Sequence, residues 1–396
     1  MLERAACIDD LRALARRNLP TMVFDYIDGA AGSETTAARN RYALEQVLLK
    51  PEILIDLTDR TLSSALFGQS VEMPIIIGPT GLNGAYWPKG DLCLARAAKS
   101  ANIPFVMSTA ATVGLDEMSR AAGELRWFQL YMLKDRALVE ALLDRLMAHD
   151  FQVLELTVDT PIAGRRNRDI RNGFSMPFRW TLRNFVDTAC HPAWALSMLR
   201  VGQPILQLFS EAVGALPRGK TISEVMQQQI SGSFTWTDLA WLRNHWKGKL
   251  VLKGISSADH VLRALECGVD GVVVSNHGGR QLEGGEASIE YLPPVVKAAD
   301  RQCTVLIDSG FRSGIDVAKA IALGADGVQL GRAALYALAA GGEVGVQHAL
   351  KILAAELEQG MALCGACSIA QLAGRALGSF KLGKETEMAS LYAVHN

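Results

Sequence analysis

Eight short apolar runs, each closed by proline, glycine or a polar group, constrain this chain more than any other feature. They are PIIIGP (74–79), PFVMS (104–108), WFQLY (127–131), QVLELTVD (152–159), LVLKG (250–254), GVVVSN (271–276), TVLIDSG (304–310) and GVQLG (327–331). The runs are rich in Val, Ile and Leu and do not alternate with polar residues. That is the pattern of parallel strands covered on both faces. Stretches between them, such as DRALVEALLDRLMAHD and GIDVAKAIALGAD, place apolar residues at three- and four-residue steps, which predicts amphipathic helices. Eight strand–helix units is the number that closes a (β/α)8 TIM barrel, an α/β fold. A doubly wound open sheet is the alternative, because periodicity does not give strand order.

Two parts fall outside the repeat. Residues 1–70 read as a helical leader packed on the barrel of residues 71–396. In it Ile8, Leu11 and Leu14 recur at helical spacing and Pro20 ends the pattern. Residues 160–235 interrupt the barrel after the fourth strand, and a connection that long is usually functional or disordered. The whole of 1–396 is expected to be one domain. The first residues lack the apolar core of a signal peptide. No uncharged run approaches the ~20 residues of a spanning helix. A net charge of −1 and no basic stripe argue against nucleic acid. Seven scattered cysteines, an odd number, point to reduced thiols and a cytoplasmic setting. Cys364 and Cys367 form a lone C-x-x-C with no second pair, so packing is a better reading than zinc.

In a (β/α)8 barrel the chemistry gathers at the carboxyl ends of the strands. After the first run stand Pro79, Thr80 and Gly81, and the second ends in Ser108. Gln129 and Tyr131 share a face of the third, as do Thr157 and Asp159 of the fourth. Lys253, Ser275, Asp308 and Gly331 close the last four, with His277, Arg280, Gly310, Arg312 and Arg332 just beyond. The DSGFRSG and LGR segments fit a phosphate held by the loops after strands 7 and 8, with glycines for close approach and Arg312 and Arg332 for charge. Asp159 and His277 are placed to form a carboxylate–imidazole pair.

Taken together, SNHGGRQL, GPTG, FQLY, TVDTP, LVLKGI, DSGFRSG and LGR resemble the FMN-dependent 2-hydroxy acid dehydrogenases and oxidases, in the family's order and over nearly the whole chain. GPTGLNGAYWPKGD most resembles the mandelate dehydrogenase branch. The resemblance implies FMN across the barrel mouth. Its phosphate would lie with Asp308, Gly310, Arg312, Gly331 and Arg332. Its ring and ribityl chain would be held by Pro79, Thr80, Gly81, Ser108, Gln129, Thr157, Lys253 and Ser275, with the Lys253 charge favouring the reduced form. Arg280 and Tyr26, with Arg166 nearby, would hold the substrate carboxylate. Tyr131 would contact the 2-hydroxyl region, and His277, supported by Asp159, would be the base. Gly81 stands where many family members have alanine, a change expected to influence reactivity toward oxygen. A homotetramer is the family's common form.

The implied reaction converts a 2-hydroxy acid, (S)-mandelate or a related aryl acid, into its 2-oxo acid. L-Lactate oxidation, or an oxidase using oxygen, is the alternative with the same machinery. Outside the class stands a flavin-free phosphate-binding barrel. No C-x-x-C-H haem motif occurs, so electrons would leave to an external acceptor such as a membrane quinone. Residues 176–220 bear on this: Phe178, Trp180, Phe185, Trp194, Leu196, Met198, Leu199, Ile205, Leu206, Leu208 and Phe209 are interspersed with Arg179, Arg183, Arg200, Arg218 and Lys220. That mixture suits a segment in the membrane interface, here at the cytoplasmic side of an inner membrane. A lid folded on the barrel is the competing reading.

Overall fold

A computed structural model describes residues 2–178, 180–213, 224 and 228–377. Eight parallel strands close a barrel: β1 (Ile75–Ile77), β2 (Phe105–Ser108), β3 (Arg126–Leu130), β4 (Val153–Thr157), β5 (Lys249–Ile255), β6 (Gly271–Val274), β7 (Thr304–Ile307) and β8 (Gly327–Leu330). Each pairs with its sequence neighbour, and β8 returns to β1, which excludes the open sheet. Outward residues such as Ile75, Phe128, Leu154 and Leu250 pack under the surrounding helices in one continuous core.

Inside the barrel the side chains stack in layers, because inward positions recur every second residue. Ile76, Val106, Trp127, Val153, Val251, Val273 and Leu306 form an apolar layer near the amino ends of the strands. Leu66 and Val71 of an antiparallel hairpin (Ser64–Leu66 with Gln69–Val71) seal it from below. Two residues further along each strand the character switches. Ser108, Gln129, Glu155, Lys253, Ser275 and Gln329 are all buried there, with Asp308 partly so. The barrel therefore has an apolar plug and a polar floor, and the floor faces the mouth.

The leader contains the expected helices, Ile8–Asn18, Thr21–Asp28 and Thr35–Gln46, and Ile8, Leu11 and Leu14 are buried. It is not wholly helical, since it also supplies the sealing hairpin. Asp28 ties it to the rest: its carboxylate accepts from Arg12 (2.7 and 2.9 Å), Arg168 (2.9 Å) and the Tyr336 hydroxyl (2.7 Å). Burial alone raises this acid, but those donors outweigh it and hold the carboxyl far below the usual range.

The insertion runs from the end of β4 to the helix Trp236–His245 and carries helices Asn167–Asn172, Leu182–Ala189, Pro192–Val201 and Gln207–Val213. The apolar residues that suit a membrane interface divide into two groups in the fold. Phe178, Trp194, Leu206, Leu208 and Phe209 are buried against the barrel, and Trp194 Nε1 donates to the Ala85 carbonyl at 2.8 Å. Trp180, Phe185, Leu196, Leu199 and Ile205 are exposed, together with Leu182 and Val186. Met198 is half-buried, Arg183 and Arg200 are exposed, and Arg179, Arg218 and Lys220 lie outside the described residues. The helix Leu182–Ala189 is inverted, with Asn184 and Thr188 facing inward and Leu182, Phe185 and Val186 outward. Among the described residues no helix is long and apolar enough to cross a membrane. No cluster there can hold a metal, and Cys364 is buried as a packing residue.

Replacing Asp28 with alanine is expected to cost roughly 2–3 kcal/mol at pH 7, the range for charged hydrogen bonds. A depressed carboxyl contributes stability above its unfolded pKa of about 3.9 and loses it as pH falls toward the folded value. Urea unfolding should therefore show a wild-type advantage at pH 7 that shrinks below about pH 4. An advantage independent of pH would refute the assignment.

Candidate active site

At the carboxyl ends of the strands lies a cavity of ≈ 560 Å³. Pro79, Thr80, Gly81, Ser108, Tyr131, Lys253, Gly310, Gly331 and Gln329 line it from the barrel; Tyr26 and Ile27 line it from the leader; Ile162, Arg166, Leu206 and Ile230 line it from the insertion. Its floor is cross-linked. Ser108 Oγ donates to Gln129 Oε1 at 2.8 Å, and Gln129 Nε2 donates to Thr157 Oγ1 at 2.9 Å. Lys253 Nζ donates to Ser275 Oγ at 2.8 Å and forms an ion pair with Asp308. Burial alone lowers this amine, but Asp308, Asp159 and Glu155 hold it firmly protonated.

His277 follows β6 on a backbone that turns left-handed at three successive residues, with φ of 57° at His277, 67° at Gly278 and 73° at Gly279. Such a conformation is costly for a histidine and is characteristic of functional sites. The turn is over-determined. His277 N donates to Ser275 Oγ (3.0 Å), Gly278 N to Ser309 Oγ (2.9 Å) and Gly279 N to Asn276 Oδ1 (3.1 Å). The positive φ favours glycine at 278, and a Cβ there would lie 2.7 Å from Arg332 Nη1 and displace that guanidinium. The ring is held by Asp159, with Nδ1 to Oδ1 at 3.1 Å. That carboxylate sets the tautomer with a proton on Nδ1, which leaves Nε2 as the basic nitrogen. Burial alone would raise the pKa of Asp159, but His277 and Lys253 hold the carboxyl below its ordinary value.

Positive charge is concentrated above the floor. Arg280 donates to the carbonyls of Tyr26 (2.8 Å), Ile27 (3.4 Å) and Gly29 (2.8 Å). Arg332 donates to those of Ile27 (3.1 Å), Gly29 (2.7 Å) and Gly278 (2.8 Å). Arg312 donates to the Phe311 carbonyl and lies over the Tyr336 ring. Carbonyls orient these guanidinium groups without neutralising them. Burial pushes Arg332 down to about 10, helped by the Arg280 charge, and burial with Arg166 lowers Arg280. Arg166 donates to Asp169 at 2.6 Å, and Arg166 and Arg280 both lie 5.1 Å from the Tyr26 ring centre. The helix Arg332–Leu363 begins here with no side-chain cap, leaving its first N–H groups for an anion. The cavity thus has two cationic regions, one at Gly310, Arg312, Gly331 and Arg332 and one at Arg280, Arg166 and Tyr26.

Most of the sequence-predicted residues meet at this cavity. Gln129, Thr157, Ser275 and Asp159 instead stand one step behind its wall and brace what lines it. Asp308 lines the cavity beside Ser309 and Gly310, and its carboxylate is engaged by Lys253 and Ser309. A Cβ on Gly81 would sit 2.7 Å from the Ala110 Cβ, so alanine fits only if that neighbour shifts. Sequence reasoning missed Tyr86, whose hydroxyl donates to the Gly81 carbonyl (3.1 Å), and Gln281, which accepts from Gly164 N (2.6 Å). It missed Glu155 and Gln329 too, which stand two residues after inward Val153 and Gly327 and meet only across the closed barrel. The carbonyls of residues 26–29 carried no side-chain signal at all.

Known proteins resemble this chain throughout. The family model for FMN-dependent dehydrogenases matches residues 15–379. (S)-Mandelate dehydrogenase of Pseudomonas putida is 41% identical over 366 residues, 92% of each chain. L-Lactate dehydrogenase of Pectobacterium atrosepticum is 41% identical over 375 residues, 93% of this chain and 95% of that one. The crystal structure of the monotopic membrane protein (S)-mandelate dehydrogenase superposes with a TM-score of 0.90 at 39% identity, covering 95% of this chain and all of that one.

The arginine cluster predicts the behaviour of a conservative variant. Lysine cannot reproduce a planar fork fixed by three carbonyls. Arg280→Lys should weaken a carboxylate ligand such as the 2-hydroxy acid by at least tenfold, about 1.4 kcal/mol, in a titration of the purified protein. Unchanged affinity would show that Arg280 does not meet the ligand.

Proposed function

Since this chain belongs to the FMN-dependent dehydrogenase family, we propose that it oxidises an (S)-2-hydroxy acid, (S)-mandelate or a related aryl acid, to the 2-oxo acid. Electrons then pass to a quinone-type acceptor in a membrane. One observation carries the reading: a tautomer-fixed imidazole, His277 on Asp159, opens onto the same cavity as the unneutralised Arg280.

FMN, when bound, supplies the two-electron acceptor. Gly310, Gly331, Arg312 and Arg332 would hold its phosphate, and Pro79, Thr80, Gly81, Ser108 and Lys253 would lie along its ring and ribityl chain. Arg280, with Arg166 and Tyr26, fixes the substrate carboxylate and thereby the position of C2. His277 Nε2 receives a proton from the substrate, and the Asp159 carboxylate stabilises the imidazolium formed. Tyr131 stays protonated, because burial and the Asp159 charge raise its phenol, so it can donate to the 2-hydroxyl oxygen. Leu82, Ile162, Leu206 and Ile230 make an apolar wall that accommodates an aryl substituent. The similarity to an L-lactate dehydrogenase favours a second reading, in which the substituent is methyl.

The inverted helix supports attachment to a membrane surface at its cytoplasmic side, with Arg183 and Arg200 beside the exposed apolar side chains. A homo-oligomer, a tetramer by resemblance to the family, would cover exposed apolar side chains such as Ile53, Leu54 and Leu363.

His277→Asn should purify yellow yet fail to bleach with (S)-mandelate under anaerobic conditions, while wild type bleaches faster with (S)-mandelate than with L-lactate or glycolate. Rapid bleaching of the variant would sink the His277 role, and preference for L-lactate would favour the second reading. A second test concerns location. Deleting the insertion would expose the core that Trp194 and Phe209 complete, so substitution is the cleaner route. The triple variant Leu182→Gln, Phe185→Gln, Leu199→Gln should leave the membrane fraction and remain yellow and active. Unchanged partition would contradict membrane attachment through this face.

A further inference from the structure

We propose that Glu155 is a positioning residue beneath the flavin site, which takes up a proton when the cofactor gains electrons and releases it when they leave. The inference rests on the flavin reading and goes beyond it. Glu155 is completely buried in the polar floor of the barrel. One carboxyl oxygen, Oε2, accepts from Gln329 Nε2 at 2.5 Å, and Gln329 itself lines the cavity. The other, Oε1, has no hydrogen-bond partner, and neither has Gln329 Oε1. Directly below lies the apolar plug, in which Trp127 Nε1 is also unpartnered. A buried carboxylate kept only for stability would be paired on both oxygens.

The charged groups facing Glu155 come from three strands. Lys253 of β5 attracts a carboxylate, but it already forms an ion pair with Asp308. Asp308 just beyond β7 and Asp159 beyond β4 both oppose a negative charge on Glu155. The other floor side chains, Ser108, Gln129 and Ser275, carry no charge. Burial, only partly offset by Lys253 and the Gln329 hydrogen bond, pushes Glu155 up to about 7. Both protonation states are therefore accessible at neutral pH, and a small change of charge above the floor decides between them.

Oxidation of the hydroxy acid releases two electrons and two protons. The electrons and one proton would go to the cofactor, and the other proton is held at His277. The added electrons make a second negative charge in the floor more costly. Glu155 then forms an O–H bond with a proton drawn from solvent through the mouth, and that bond breaks again when the acceptor removes the electrons. Glu155 touches neither substrate nor the reacting atoms; it acts through Gln329 and Lys253.

The test measures the reduction potential of the bound flavin from about pH 5.5 to 8.5, in the FMN-loaded wild type and in Glu155→Gln, a variant of the same shape. Above about pH 7 the variant should sit at a more positive potential, because a negative charge is gone. Below about pH 6 the two should converge, because wild-type Glu155 is then neutral as well. Redox-difference infrared spectroscopy at about pH 8 should show a protonated-carboxyl band appearing on reduction of wild type and absent from the variant. The wild-type band keeps the test decisive should the variant fold poorly. Potentials that differ by a constant amount, coincide at every pH, or come without the band would overturn the proposal. A protein that purifies without flavin would overturn the flavin reading and this inference together. A yellow, substrate-reducible enzyme with parallel potentials overturns this inference alone.

Discussion

Two guanidinium groups share the same acceptors, and the site depends on that arrangement. Arg280 and Arg332 both donate to the carbonyls of Ile27 and Gly29. Like charges are thus held side by side, fixed by dipoles rather than cancelled by carboxylates. Burying such charges is expensive unless a ligand completes the electrostatics. The leader helix Thr21–Asp28 ends at these carbonyls, and Asp28 anchors that end through Arg12, Arg168 and Tyr336. Leader, barrel and insertion are therefore coupled at one point. In the proposed function the cation pair would serve a phosphate on one side and a carboxylate on the other, so that one cavity would bind cofactor and substrate together.

Much of this was legible in the chain. The eight apolar runs became the eight strands, because helices cover the outer faces of a parallel barrel and leave no alternation to dilute the signal. The glycines beside His277 showed that the turn needed unusual backbone, and the structure shows all three residues left-handed. What stayed hidden had a physical reason. The switch from apolar plug to polar floor occurs within each strand, so Glu155 looked like an isolated charge in an apolar run. Only closure of the barrel sets it beside Gln329, 174 residues away. Backbone carbonyls at residues 26–29 belong to every sequence equally, so no residue type announces them.

The insertion illustrates the limit of composition most clearly. Its aromatic and aliphatic residues read as one apolar population, yet the fold divides them. Trp194, Leu208 and Phe209 complete the protein core, while Leu182, Phe185 and Leu199 point outward from helices whose inner positions include Asn184 and Thr188. Burial of polar side chains under an apolar exterior reverses the usual arrangement of a surface helix. The same segment contributes Leu206 and Ile230 to the cavity, so the exposed apolar face and part of the cavity wall are built from one stretch of chain.

The central claim is that the fixed cations at the mouth await a phosphate and a carboxylate. The most direct test compares the binding of FMN and riboflavin to the flavin-depleted protein. The two ligands share ring and ribityl chain and differ only in the phosphate. The account predicts that FMN binds at least a hundredfold more tightly, about 2.7 kcal/mol, with an advantage that shrinks as salt is raised. Equal affinities at low salt would contradict it.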